Sequence, residues 1–194
     1  MKNNIKIKYF QSGVTIIELL VSMSVIVFIT AIFVANYNST NKRTDLIMAS
    51  QSLVADFHYA QNNSLGLLKY GDVVPAGGWG LNFNLSQKDR YVIFADLDGP
   101  GTLGYMVYNS DEGEFSKGAR TVILPSGTEI SSLRFFGNIT KPLVNVTFLP
   151  PDPKTNISSG SATSTVLEID ILELRTGVIK TVKVNFLGLA EVIN

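Results

Sequence analysis

Ser12-Gly13-Val14-Thr15-Ile16-Ile17-Glu18-Leu19-Leu20, with the apolar run that continues from it to Ala35, decides how the rest of the chain is read. From Val14 onward nearly every residue is apolar or small, including Val21, Met23, Val25, Ile26, Phe28, Ile32 and Phe33. One carboxylate, Glu18, stands near the start. The 22 residues Val14 to Ala35 are enough to span a bilayer as a helix. An ionised carboxylate inside such a segment costs roughly 2.5–3.5 kcal/mol at mid-depth on insertion scales, so Glu18 demands a partner or a function. A cut between Gly13 and Val14 would create a positive α-amino group about one helical turn from it.

The residues ahead of the cut carry Lys2, Lys6 and Lys8, and no comparable cluster follows the apolar run until Lys42 and Arg43. That asymmetry keeps the N-terminus in the cytoplasm and sends the bulk of the chain outside. An ordinary secretory signal would be cut after its apolar region, at small residues in an A-x-A-like pattern. Asn36-Tyr37-Asn38 does not supply that pattern, so the segment is expected to stay with the protein. The bland alternative is a plain signal anchor with a chance glutamate.

Gly13-Val14-Thr15-Ile16-Ile17-Glu18-Leu19-Leu20 behind its lysine-bearing leader resembles the class III signal of type IV pilins and type II secretion pseudopilins. Glycine, threonine and glutamate fall at matching positions, whereas Val14 stands where phenylalanine or methionine is more usual. The resemblance implies a leader at 1–13, removed by a prepilin peptidase of the bacterial inner membrane between Gly13 and Val14, followed by N-methylation of Val14. It also implies that Thr15 and Glu18 serve subunit assembly, Glu18 by pairing with the N-terminal amine of a neighbouring subunit. Membrane lipid would surround the helix before assembly, and other pilin or pseudopilin subunits afterwards, in a pilus or pseudopilus.

The remainder of the 194 residues bounds the soluble part. About 130 residues downstream suffice for one core. Sixteen basic and sixteen acidic residues balance, which gives no electrostatic argument for nucleic acid. The absence of cysteine excludes a disulfide framework, a thiolate metal site and a cysteine nucleophile. No Gly or Pro interrupts Val14 to Leu65, which permits a single helix on the order of 80 Å long. Past Ala35 it turns amphipathic: Leu46, Ala49, Leu53, Phe57 and Ala60 recur at three- and four-residue steps, with Ile47 and Val54 widening the stripe. Asn36 to Asn41 are poorer helix formers and mark where it could melt, and Gly66 is the expected stop.

Beyond Gly66 the period shortens to strands separated by Gly, Pro, Asp and Asn. Trp79–Leu85, Arg90–Ala95, Tyr105–Tyr108, Ala119–Leu124, Ile130–Phe136 and Leu143–Phe148 are expected strands. Arg175-Thr176-Gly177 should turn Val178–Phe186 back onto Thr165–Leu174, with Val182, Val184 and Phe186 on one face. The Pro-, Ser- and Thr-rich stretch from Pro150 to Thr165 reads as an exposed loop. The expected fold is therefore α+β, a long N-terminal helix packed on an antiparallel β domain of one or two sheets. Its divisions are a leader at 1–13, a membrane half of the helix at 14–35, an amphipathic half at 36–66 and a β domain at 67–194. Gln51 to Asn62, Gly78-Trp79-Gly80-Leu81 and Tyr91 to Gly99 are also similar to segments of the minor pseudopilin H and FimT-like group. That similarity implies a minor subunit.

Few other residues carry chemistry. Asp96-Leu97-Asp98-Gly99 begins as some calcium loops do, but an EF-hand would need further ligands where Pro100 and Val107 stand. Asp96 and Asp98 are calcium candidates set against the ordinary reading, a turn capped by Asp side chains. Asp111, Glu112 and Glu114 could join them only through folding, and no other cofactor is implied. His58 is the only histidine and reads as a surface residue, while Trp79 between glycines reads as an anchor of the core. No nucleophile elbow accompanies the many hydroxyls, so an enzyme is not the expectation. A structural pilin-like subunit leads, and a DNA-binding minor pilin of a DNA-uptake system is the alternative. The latter needs clustered Lys or Arg, and the tail Gly188 to Asn194 has no basic residue.

Overall fold

The computed structural model describes residues 13–108, 119–151 and 154–193, without the side chains of 35–42. One helix, α1, runs from Ile16 to Leu65, unbroken through Asn36–Asn41 despite their low propensity. Its last turn closes as expected at the glycine, Gly66 N–H donating to the Asn62 carbonyl at 2.8 Å. The chain divides into two compact units, Met1–Thr40 and Asn41–Asn194. Within the first, the described helical residues are solvent-exposed on every side. The stretch Ile16–Val34 is long and apolar enough to cross a membrane, with a mean hydropathy of 2.6.

The second unit is built from the later part of α1 and two antiparallel sheets. The strands are β1 (Gly78–Asn84), β2 (Arg90–Asp96), β3 (Arg120–Ile123), β4 (Thr128–Phe135), β5 (Ile139–Thr140) and β6 (Leu143–Leu149). They continue with β7 (Lys154–Ser159), β8 (Ala162–Ser164), β9 (Val166–Glu173), β10 (Ile179–Asn185) and β11 (Ala190–Ile193). Six strands form one sheet in the order β3-β2-β1-β6-β7-β8, and five form the other in the order β11-β10-β9-β4-β5. The architecture is thus α+β with two sheets.

The 3.6-residue period of α1 does the work the sequence suggests. Leu46, Ala49, Leu53, Phe57 and Ala60 are all buried in one hydrophobic cluster with Leu81, Phe83, Val146 and Phe148 of the larger sheet and Ile130, Leu133, Ile169 and Val182 of the smaller. Val54 packs at its margin, but Ile47 faces solvent, so the stripe is narrower on that side. Trp79 anchors the cluster as expected. Its indole N–H donates to the Leu68 carbonyl at 3.2 Å, and its ring meets Tyr59 and Tyr70 edge-on at 6.2 and 6.4 Å.

Three expectations need correction. Tyr105–Tyr108 is a turn, because Met106 N–H is held by the Asp96 carboxylate with Met106 at a φ of 63°. The stretch after Pro150 is no loop. β7 pairs along β6, from Asn145 opposite Ser158 to Leu149 opposite Lys154, and β8 folds back on β7. Its one deeply buried apolar residue is Ile157, and the partner edge, rather than the sequence's own hydrophobicity, makes it a strand. The β9–β10 hairpin forms with Gly177 at a φ of 71°, but Phe186 lies past its end and is exposed. In β4 the pairing slips between Ile130 and Ser132, a bulge that returns Leu133 and Phe135 to the core face on which Ile130 lies.

Candidate functional site

The head of α1 gathers the residues singled out by the sequence. Gly13, Val14 and Thr15 precede the helix, exposed and non-helical. Thr15 is its N-cap: the Glu18 N–H donates to Thr15 Oγ1 at 3.3 Å and to the Thr15 carbonyl at 3.1 Å, a carbonyl that also accepts from Leu19 N–H. Thr15-Ile16-Ile17-Glu18 therefore has the T-x-x-E spacing of a capping box, in which a glutamate stands at the third helical position. This is a role that the sequence carried openly in its spacing. The cap satisfies a backbone donor that would otherwise be orphaned at the helix start.

The other polar side chains of the apolar segment satisfy themselves. Ser22 donates to the Glu18 carbonyl at 2.7 Å, Ser24 to Val21 at 2.8 Å and Thr30 to Ile26 at 2.7 Å. Such back-bonding hides a hydroxyl from lipid without any partner outside the helix. Glu18 is different. Its carboxylate is exposed, and among the described residues no hydrogen bond or ion pair engages it. Its position near a helix N-terminus is worth about 0.3–1 kcal/mol through the macrodipole. A cation beside Glu18 would pair with it.

Gly13 completes the group by what it lacks. A Cβ added there would meet nothing among the described residues. Among the described residues, no packing contact requires a glycine at 13. Lys2, Lys6 and Lys8 lie outside the described residues.

The second candidate, Asp96 and Asp98, sits at the end of β2. Asp96 is fully buried, with Oδ1 accepting from Asp98 N–H at 2.9 Å and Oδ2 from Met106 N–H at 2.5 Å. Both oxygens thus pin the loop that follows, which is the capped-turn reading. A Cβ at Gly77 would come within 1.9 Å of Oδ2, so the carboxylate fills the space that this glycine leaves. Asp98 Oδ2 is shielded without a hydrogen bond, but no group of three or more His, Asp or Glu stands close enough to hold a metal ion among the described residues. Asp111, Glu112 and Glu114 lie outside them. His58 faces solvent on α1.

One polar constellation is absent from the sequence reading altogether. Asp56, on the buried stripe of α1, accepts the Tyr91 hydroxyl at 2.6 Å and pairs with Arg120 at 3.0 Å. The Arg120 guanidinium in turn lies 5.8 Å from the Tyr59 ring centroid. Burial above all, and then the carboxylate of Asp56, push the Tyr91 hydroxyl well above the ordinary tyrosine range. The signal for it was a carboxylate three residues after Leu53 and four before Ala60, at a position where the stripe requires an apolar side chain. The group ties α1 to β2 and β3.

No protein-family model, no curated protein and no solved structure matches the chain.

Proposed function

We propose that the chain is a pilin-like structural subunit of the minor pseudopilin kind, processed by a prepilin peptidase and built into a type IV pilus or type II secretion pseudopilus. The observation that carries this reading is the head of α1. A carboxylate at Glu18 with no partner among the described residues, and a glycine at 13 whose Cβ would meet none of them, both stand at the start of a segment able to cross a membrane. A peptidase that reads Gly13 and an amine released at Val14 would account for both at once. The subunit would wait in the inner membrane by its apolar segment, with its second unit outside the cytoplasm. It would enter a filament when the Glu18 carboxylate of one subunit meets the Val14 amine of another. Thr15 has a separate task in this scheme, capping the helix so that its first turn is ordered when the leader is gone.

The test is to replace Glu18 by Ala in cells that assemble the filament and to follow both processing and incorporation. Leader removal should proceed normally while incorporation falls sharply. Normal incorporation of the E18A subunit would sink the pairing mechanism.

A further inference from the structure

The end of the smaller sheet opposite the β9–β10 turn presents apolar side chains on three uncharged connections. Phe135 stands opposite Leu167 and Val166 opposite Asn185, so the β4–β5 turn, the residues leading into β9 and the β10–β11 turn lie side by side. Hydrogen bonds tie them together. Phe136 N–H donates to Ser164 Oγ at 3.2 Å, and Phe186 N–H to the Thr165 carbonyl at 2.8 Å. Phe136 is 75% exposed, Leu187 65% and Phe186 54%, with Ile139 and Leu189 also in solvent. Residues 135–140, 162–166 and 185–190 contain no Asp, Glu, Lys or Arg. Turn residues are ordinarily polar. These five side chains together present on the order of 500 Å² of apolar surface, the size at which an exposed patch marks a contact.

The two halves of the patch differ in shape, with Thr165 between them. On one side Asn185 Oδ1 accepts from the Leu187 and Leu189 N–H groups at 3.0 and 3.1 Å. A Cβ at Gly188 would come within 2.6 Å of Gln61, so this glycine turns inward and Phe186, Leu187 and Leu189 form a fixed projection. On the other side a groove of about 400 Å³ runs between Phe136, Ile139 and Lys141 and residues 162–165. The Lys141 ammonium lies over the Phe135 ring, 5.8 Å from its centroid.

A half-turn about an axis at Thr165 sets the projection of one copy in the groove of another and the reverse, the reciprocity that an isologous contact requires. A patch charged with one sign would repel its own copy. This one can face itself, because its three connections bring no charge to the contact. Its area falls short of the roughly 800 Å² per partner of a standard stable interface. The contact therefore suits copies already confined together, as two chains anchored in one membrane are.

We infer that this end of the smaller sheet binds a second copy of the chain, the Phe186–Leu187 projection of each seated in the groove beside Phe136 of the other. The confinement that completes the contact rests on the membrane anchoring proposed above.

Because the chain has no cysteine, single cysteines placed in the full chain can be joined by a bis-maleimide in lipid vesicles recovered by flotation. Thr165→Cys, at the axis, should give several-fold more cross-linked dimer than Leu174→Cys, which is exposed at the other end of β9. Vesicles holding a mixture of Leu187→Cys and Phe136→Cys chains should cross-link more than vesicles holding either alone. High salt should leave the yield unchanged, since no charge takes part. Leu189→Asp added to the Thr165→Cys chain should lower the yield several-fold by forcing carboxylates into an apolar contact. Cross-linking at 165 no greater than at 174, or lost in high salt, overturns the inference and leaves the anchoring intact. A thiol at 187 that is shielded from a water-soluble maleimide but does not cross-link in the mixture assigns this end to lipid and also overturns it. A chain that does not float with the vesicles overturns the anchoring and the inference together.

Discussion

Replacing Asp56 by Ala isolates the polar tie between α1 and the larger sheet. Asp56 accepts from the buried Tyr91 hydroxyl at 2.6 Å and from Arg120 at 3.0 Å. Removing it strands the Tyr91 hydroxyl, a loss of about 1–3 kcal/mol for an unsatisfied buried donor. The Arg120 pair adds little, about 0–1 kcal/mol, because the Arg120 side chain is 64% exposed. We expect a total near 2–3 kcal/mol, a large part of the roughly 5–15 kcal/mol that separates folded from unfolded domains. Denaturant titration of the detergent-solubilised full chain, followed by the fluorescence of the single tryptophan at 79, measures it. Tyr91→Phe should also destabilise, and the double variant should cost about 1–2 kcal/mol less than the sum of the two. Strict additivity would refute the assigned contact. The tie also sets a pH dependence. The folded Tyr91 pKa is raised above its unfolded value, so the hydroxyl's contribution is complete below about pH 10 and is lost as pH rises beyond that towards the folded value. Tyr91→Phe should flatten that alkaline decline.

Other outcomes follow from single contacts. Phe57→Ala empties a fully buried site whose ring centroid lies 5.9 Å from that of Phe83; unfolding titrations should show a loss of about 3–5 kcal/mol. Gly77→Ala drives a methyl to within 1.9 Å of the Asp96 carboxylate; a cost of about 1–3 kcal/mol and faster amide exchange across residues 97–108 are expected, and unchanged exchange would count against the pinned loop. Thr15→Val removes the cap, worth about 0.5–2 kcal/mol, and should raise amide exchange at Glu18 and Leu19 while leaving residues 46–60 protected.

The parts of the fold that could be read in advance are those where one local signal dominates. Fifty residues without Gly or Pro become one helix, and the stripe from Leu46 to Ala60 finds the core because its period alone decides its face. The β9–β10 hairpin was legible from Gly177 and the alternation of Val182 and Val184. What stayed hidden depends on partners distant in sequence. β7 is polar and becomes a strand only because β6 offers an edge, and β5 and β11 are short additions to sheets whose neighbours define them. The bulge at Ile130/Ser132 shifts an alternation that sequence alone presents as irregular. At the head of α1 the residue types and spacing were legible. The capping role of Thr15 sits in the same T-x-x-E pattern. Asp56 was missed because only folding brings Tyr91 and Arg120 to it.

The proposed function turns on one bond, that between Gly13 and Val14. The full chain, expressed with an active prepilin peptidase and recovered from membranes, should give an intact mass and an N-terminal sequence that begin at Val14, with a methyl group on its amine. Gly13→Ala, which no contact among the described residues opposes, should leave folding unchanged while reducing the cut. A mature chain that retains residues 1–13, or one that begins beyond Ala35, would contradict the account.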